Sequence, residues 1–225
     1  MKRTYFVSGI DTDVGKTVAT GMMCRYLQQC GIDWISVKMV QTGCDGFSED
    51  LDRHRQIAGV GLFPEDSAGL TAPQIFSFPS SPLLAARLEG KTVNLRKISD
   101  SVRACAQAHD IVLVEGAGGL CVPLTDETLA IDFAASEGWP LILVANGRLG
   151  SINHILLSLE AARARNMGLA GVVYNAFPAA DPVIFADTEA TVRRHLRQMG
   201  YRDVWTVISN LADNANPDFS SFFKP

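Results

Sequence analysis

The run Ile111-Val112-Leu113-Val114 has no polar position to turn toward water. A strand built from it must therefore be covered on both faces, which antiparallel surface sheets do not require and parallel sheets do. Tyr5-Phe6-Val7, Trp34-Ile35-Ser36-Val37, Leu141-Ile142-Leu143-Val144, Leu169–Tyr174 and Val204–Ile208 have a similar character. Helix-length segments with a 3.6-residue apolar period lie between several of them, at Thr17–Gln29, Ile152–Arg165 and Ala186–Met199. Continuous apolar strands alternating with helices predict an α/β fold with a mostly parallel sheet and helices on both faces. No repeat, low-complexity stretch or linker divides the chain, so residues 1–225 are expected to form a single domain. Thr42–Pro82 is the least regular region, and it is expected to cap the carboxyl edge of the sheet, where ligands bind in open α/β folds.

The first strand leads into Gly9-Ile10-Asp11-Thr12-Asp13-Val14-Gly15-Lys16-Thr17, and a helix follows. That context makes the stretch a candidate phosphate loop. Glycine permits the tight turn, the free N–H groups of the helix start face an anion, Lys16 reaches outer phosphates, and Thr17 offers a hydroxyl to Mg²⁺. The loop departs from the commonest spacing, with five residues between Gly9 and Gly15.

Other chemistry-bearing residues fall at strand ends. Glu115 closes a buried strand and precedes Gly116-Ala117-Gly118-Gly119, a run small enough for backbone to approach a ligand. Mg²⁺ takes hard oxygens, typically one or two carboxylates with phosphates and waters. Asp52 is a weaker candidate, because the acidic run around it also reads as a solvated helix start. Lys38 follows the second strand, where a cation can stabilise charge on a transferring phosphoryl group. Thr42 lies in a turn after it. Gly150-Ser151-Ile152-Asn153 opens a helix whose start could receive a carboxylate, and Asn175 ends a strand.

These stretches, taken together and in order with Ser81-Pro82, resemble the dethiobiotin synthetases, ATP-dependent cyclases of biotin synthesis. The resemblance runs from Tyr5 to about Asn175. It implies a single P-loop domain with a seven-stranded sheet, working as a cytoplasmic homodimer with the active site at the interface. It implies that 7,8-diaminononanoate, CO₂ and ATP, with Mg²⁺, give the ureido ring through a phosphorylated carbamate. Lys16 and Lys38 would flank the transferring phosphate, and Thr12 would help hold the carbamate. Thr17, Asp52 and Glu115 would hold Mg²⁺. Asp13, Val14, Gly15 and Val18 would contact the nucleotide from the loop, Gly116, Ala117 and Gly118 from the strand end, and Asn175 from the adenine side. Thr42 would contact the diamine, while Gly150 and Asn153 would receive the substrate's carboxylate end from the partner subunit. Four places depart from the family pattern: Met39 stands for proline, Leu83 for histidine, Val204–Leu211 lacks the Gly-x-Ile-Pro pattern that borders the adenine, and no tyrosine lies near Thr188.

Two other classes share parts of this pattern. An amidoligase related to cobyrinate synthetases would use the same loop and metal, but 225 residues leave no room for its glutaminase domain. A partitioning-type switch ATPase would carry an early lysine in the loop, where this chain has Asp11 and Thr12. With 20 basic against 24 acidic residues, no cationic surplus points to nucleic acid or an acidic membrane. No apolar run approaches the ~20 residues of a membrane span. Five cysteines without a C-x-x-C pair suggest reduced thiols, and the four scattered histidines argue against zinc.

Overall fold

The computed structural model describes residues 2–177, 181–209 and 216–224. In chain order the elements are β1 (Arg3–Gly9), α1 (Lys16–Gln29), β2 (Trp34–Lys38), β3 (Gln41–Thr42), α2 (Glu49–Ala58), α3 (Pro64–Ser67), β4 (Ile75–Phe76) and α4 (Pro82–Leu88). They continue with α5 (Leu95–Ala108), β5 (Ile111–Gly119), α6 (Ala130–Ser136), β6 (Leu141–Asn146), α7 (Ser151–Arg163), β7 (Leu169–Asn175), α8 (Pro182–Gln198) and β8 (Trp205–Ile208). The main sheet has the order β2-β5-β1-β6-β7-β8, and every pairing in it is parallel. β5 is buried at every position from Ile111 to Gly116, so both of its faces are covered. Each fully buried Val, Ile or Leu in these strands contributes roughly 1.5–3 kcal/mol over its exposed state.

The sheet of the described residues has six strands, not the seven that the family resemblance implies. β3 and β4 pair with each other as a separate two-stranded parallel sheet. The reason lies at the end of β2. The Lys38 amide donates to the Thr71 carbonyl at 2.7 Å and the Met39 amide to Glu115 at 2.9 Å. Beyond that point the chain leaves the sheet, and the loop carrying Thr71 occupies the outer edge where another strand would pair. Of Val204–Leu211, the segment without the family's Gly-x-Ile-Pro pattern, β8 covers the first part, and Leu211 lies outside the described residues.

The irregular region does cap the carboxyl edge, but it contains a helix that the loop-rich composition conceals. Ser48 caps α2 by accepting the Leu51 amide at 3.3 Å, and Glu49, Asp50 and Asp52 complement the positive end of the helix dipole. Gly59, at φ 73°, ends it in the left-handed conformation. α5 also escapes the period reading, although Asn94 caps it and Ile98, Val102 and Cys105 form its buried stripe. None of the described helices is long and apolar enough to cross a membrane.

A buried ion pair ties α2 to α3, and the same guanidinium ties α2 to β2. Arg55 donates to Asp66 from Nη2 at 2.7 Å and from Nε at 3.0 Å, and from Nη1 to Ser36 Oγ at 2.7 Å. Its guanidinium lies 4.7 Å from the Phe63 ring and 5.6 Å from Trp34. Asp66 also accepts from the Phe63 amide and the Thr71 hydroxyl, both at 2.7 Å. Burial alone would raise its pKa, but these donors outweigh burial and hold it below the ordinary carboxylate value. Removing one partner of such a pair strands the other, at a typical cost of about 3–5 kcal/mol. Asp66→Ala is therefore expected to lose about 3 kcal/mol in denaturant unfolding at pH 7. Because the folded carboxyl titrates below its unfolded value, this stabilisation is full at neutral pH and disappears as the pH falls through the folded value. The two proteins' unfolding curves should therefore converge in acid; a constant gap down to pH 2 would exclude the carboxylate as the cause.

Candidate active site

The crossover from β1 through α1 to β2 leaves the loop at residues 10–15 over the carboxyl end of the sheet. Gly15 is left-handed at φ 97°, and a Cβ there would run into the Asn175 amide. A Cβ on Gly9 would lie 2.6 Å from Val14 Cγ2. The loop folds over itself, with Lys16 Nζ donating to the Asp11 carbonyl at 2.9 Å. Burial pulls the Lys16 pKa below its ordinary value, partly offset by Glu115. The exposed Arg148 pairs with Asp11 at 2.6 Å, linking the β6–α7 connection to the loop.

Register brings the charged centre together. Lys38 on β2 lies directly across from Glu115 on β5, and Val7 of β1 flanks Glu115 on the other side. Glu115 is fully buried and holds four donors. Oε1 accepts from Lys38 Nζ at 2.8 Å and shares the Thr17 hydroxyl proton, at 3.1 Å, with Asp50; Oε2 is 2.8 Å from both Thr20 Oγ1 and His54 Nε2. Burial would raise the Glu115 pKa, but Lys38 and His54 override it and hold the carboxyl well below its usual range. Burial likewise opposes the Lys38 ammonium, and Glu115 and Asp50 more than compensate, leaving its pKa raised. Lys38 Nζ lies 2.5 Å from Asp50 Oδ2 and donates to the Gly116 carbonyl at 3.2 Å.

A cavity of about 450 Å³ opens above this centre. Of the residues expected from the sequence, Thr12, Asp13, Gly15, Lys16, Thr17 and Val18 line it from the loop side. Lys38, Thr42, Glu115, Ala117 and Gly118 line it from the sheet side. Val14 is buried beneath the loop, and its carbonyl accepts from Asn175 Nδ2 at 3.0 Å. The other end of the Asn175 amide accepts from the Phe177 amide, so Asn175 braces the loop in this state. A second cavity of about 470 Å³ shares Thr12, Thr42, Ala117 and Gly118 with the first and is closed by Pro79, Ser80, Ser81, Pro82 and Val122. Gly150 and Asn153 do not reach either. They line a separate apolar cleft with Leu149, Ile152, Val183, Ile184, Asp187 and Thr188.

Asp52 is not at the centre; it is exposed, and Asp50 takes the place the sequence reading gave it. Residues two apart on a helix point to opposite sides, whereas those four apart share a face. Asp50 and His54 therefore look inward together, and Asp50 Oδ1 accepts from Thr17 Oγ1 at 2.8 Å. His54, Thr20 and Ser36 were also missed. The i, i+4 pairing of Asp50 with a histidine was the one signal available for them. Thr17, Asp50 and Glu115 present a hydroxyl and two carboxylates, the hard-oxygen set suited to Mg²⁺ shared with phosphates. Among the described residues no three His, Cys, Asp or Glu side chains are arranged to hold a metal ion by themselves. A cation here would draw on the hydroxyl and on substrate oxygens as well.

A glycine-containing loop between a central parallel strand and a helix, with a lysine, a threonine and a strand-end acid converging on it, defines a P-loop nucleotide-binding protein. In agreement, residues 3–218 match a family model described as "AAA domain". The chain is 43% identical over 208 residues to "ATP-dependent dethiobiotin synthetase BioD 2" of Pasteurella multocida, spanning 92% of this chain and 98% of that one. It is 47% identical to the protein of that name from Haemophilus influenzae, over 80% of this chain and 95% of that one. It is 44% identical to "ATP-dependent dethiobiotin synthetase BioD" of Chlorobaculum tepidum, over 91% and 85%. The chain belongs to the ATP-dependent dethiobiotin synthetase family. Solved structures share the fold alone. A ParA protein bound to nonspecific DNA has a TM-score of 0.58 at 11% identity, over 93% of this chain and 85% of that one. Chloroplast FtsY from Physcomitrella patens has a TM-score of 0.53 at 17% identity, and this chain spans 64% of its length.

Left-handed backbone costs a residue with a Cβ about 1–2 kcal/mol. Gly15→Ala should destabilise the fold by that amount in denaturant unfolding, and it should weaken nucleotide binding in calorimetry, because the Asn175 brace must move. Unchanged binding would show that the loop does not hold phosphate in this form.

Proposed function

We propose that this protein closes the ureido ring of dethiobiotin from 7,8-diaminononanoate and CO₂ at the expense of ATP. The observation that carries the reading is a second buried lysine, Lys38, lining the same cavity as the loop lysine, Lys16. A partitioning-type switch would carry its second lysine early in the loop, where this chain has Asp11 and Thr12, and not at the end of a neighbouring strand. A phosphoryl transfer to an anionic acceptor needs a second cation beside the acceptor, because negative charge accumulates between two anions. The relatives' names support the same activity and do not favour an amidoligase or a partitioning switch.

In this reading the nucleotide's phosphates lie over the loop and the start of α1, where amides and the helix dipole favour anions. Thr17, Asp50 and Glu115 are the residues that would hold Mg²⁺, which when bound neutralises phosphate charge. One diamine nitrogen takes up CO₂ and loses a proton, giving a carbamate in the cavity lined by Thr12, Thr42 and the Pro79–Pro82 turn. Lys16 holds the γ-phosphate, and Lys38 holds the carbamate oxygen in line with it. The carbamate oxygen takes the phosphoryl group and ADP leaves. The second amine then attacks the carbonyl carbon, phosphate departs, and the ring closes. The whole chain is proposed to act as one domain. The apolar cleft at the start of α7, with Leu149 and Val183 prominently exposed beside it, is proposed as the face where a second copy docks and presents Gly150 and Asn153 to the substrate tail.

Protein incubated with MgATP, bicarbonate and 7,8-diaminononanoate should yield dethiobiotin by mass with one phosphate released per ring; phosphate release without the product would overturn the proposal. Lys38→Gln should lower kcat by roughly 10²–10³-fold, the scale for losing one preorganised charge-stabilising donor, with little change in ATP affinity. Collapse of ATP affinity with the chemical step intact would make Lys38 a nucleotide-binding residue. Asn153→Ala should raise the KM of the diamine more than that of ATP, and light scattering should give a dimer; an active monomer would exclude the shared site.

A further inference from the structure

His54 is absent from every motif in the chain, yet it is among the most deeply buried polar residues of the described structure, with no exposed surface. It stands in a chain of hydrogen bonds that runs between Arg55 and Glu115. Arg55 Nη1 donates to Ser36 Oγ at 2.7 Å. Ser36 Oγ lies 3.0 Å from His54 Nδ1, and His54 Nε2 lies 2.8 Å from Glu115 Oε2. An ionised carboxylate can only accept, so Nε2 carries the proton and donates to Glu115. Ser36 Oγ, which accepts from Arg55, meets the other ring nitrogen, so His54 is held between Ser36 and Glu115. Asp66 fixes the far end by holding Arg55 with two bonds.

The consequence is geometric. Thr20 and His54 occupy Oε2, so Oε1 is the oxygen left facing Thr17 and Lys38. Without the histidine, Oε2 keeps one donor and the carboxylate is no longer confined to one orientation. Glu115 is not the only residue affected. Asp50 lies one turn before His54 on the same face of α2, so the bond from His54 to β5 also sets how far Asp50 reaches toward Thr17 and Lys38.

We infer that His54 is a positioning residue that orients both carboxylates of the phosphate cavity, Glu115 directly and Asp50 through the docking of α2. This rests on the reading of the cavity as an Mg²⁺–ATP site. Groups that orient metal-binding carboxylates typically cost about 10–100-fold in metal affinity or activity when removed.

Two amides separate the positioning role from simple filling of the core. His54→Gln places an N–H near the Nε2 position and can still donate to Glu115. His54→Asn places its amide near Nδ1, keeps Ser36, and falls short of Glu115. The measurement is the dissociation constant of a non-hydrolysable ATP analogue by calorimetry, with and without Mg²⁺, alongside the Mg²⁺ midpoint of turnover. His54→Asn should lose about tenfold of the Mg²⁺-dependent gain in affinity and leave metal-free binding unchanged. It should also raise the Mg²⁺ midpoint of turnover, while His54→Gln stays within about twofold of the parent. Equal Mg²⁺ responses in the two variants would overturn the inference and leave His54 a core residue. If His54→Asn does not fold, Ser36→Ala is measured in the same way. It frees Nδ1 while keeping the histidine, and an unchanged Mg²⁺ response there would overturn the inference too. If the parent protein itself shows no Mg²⁺-dependent gain, the reading of the cavity fails, not the role of His54 within it.

Discussion

A carboxylate with no exposed surface, Glu115, stands at the centre of this molecule, and the elements around it are arranged to keep it charged. Four donors from three different elements reach its two oxygens: Thr17 and Thr20 from α1, Lys38 from β2 and His54 from α2. An isolated charge so deeply placed would cost far more than a domain's whole stability, so each donor is a condition of the fold as well as a part of the site. The parallel register makes this possible, since it sets Lys38 beside Glu115 without any loop having to place them.

That arrangement joins stability and chemistry through a single helix. α2 carries Asp50 into the cavity from its first turn, His54 to Glu115 from its middle, and Arg55 to Ser36 and Asp66 beside it. Its packing against α1 and β2 therefore depends on polar groups that are satisfied only when the cavity is formed. A binding site built this way is rigid before its ligand arrives, which suits a reaction whose catalysis is mostly positioning and charge neutralisation.

Much of this was legible in the residues. Continuous apolar runs announced the parallel strands, and the loop between β1 and α1, with Glu115 and Lys38 at strand ends, pointed to the cavity. What escaped has particular causes. α2 begins in an acidic, glycine-flanked stretch, so its amphipathic face is read only once His54 and Arg55 are recognised as inward-facing. That same face decides between Asp50 and Asp52, which composition treats alike. The seventh strand came from the family resemblance alone; the six apolar runs read from the residues are the six strands of the sheet, and at the end of β2 the Lys38 amide is met by the Thr71 carbonyl instead of a further strand. The role of Gly150 and Asn153 came from the resemblance, and among the described residues of one copy nothing brings their cleft to the phosphate cavity.

The two adjoining cavities are made from different materials. The one above Glu115 is bounded largely by strand ends and helix starts, which cannot shift without disturbing the core. Its neighbour borrows Thr12, Thr42, Ala117 and Gly118 and is otherwise walled by the Pro79–Pro82 turn and Val122. Connecting segments accept replacement far more readily than the elements they join. The machinery that activates an anion is thus inherited with the scaffold, while the acceptor it serves is written in a few surface positions. Descendants of such a chain could change what they modify long before they change how they modify it.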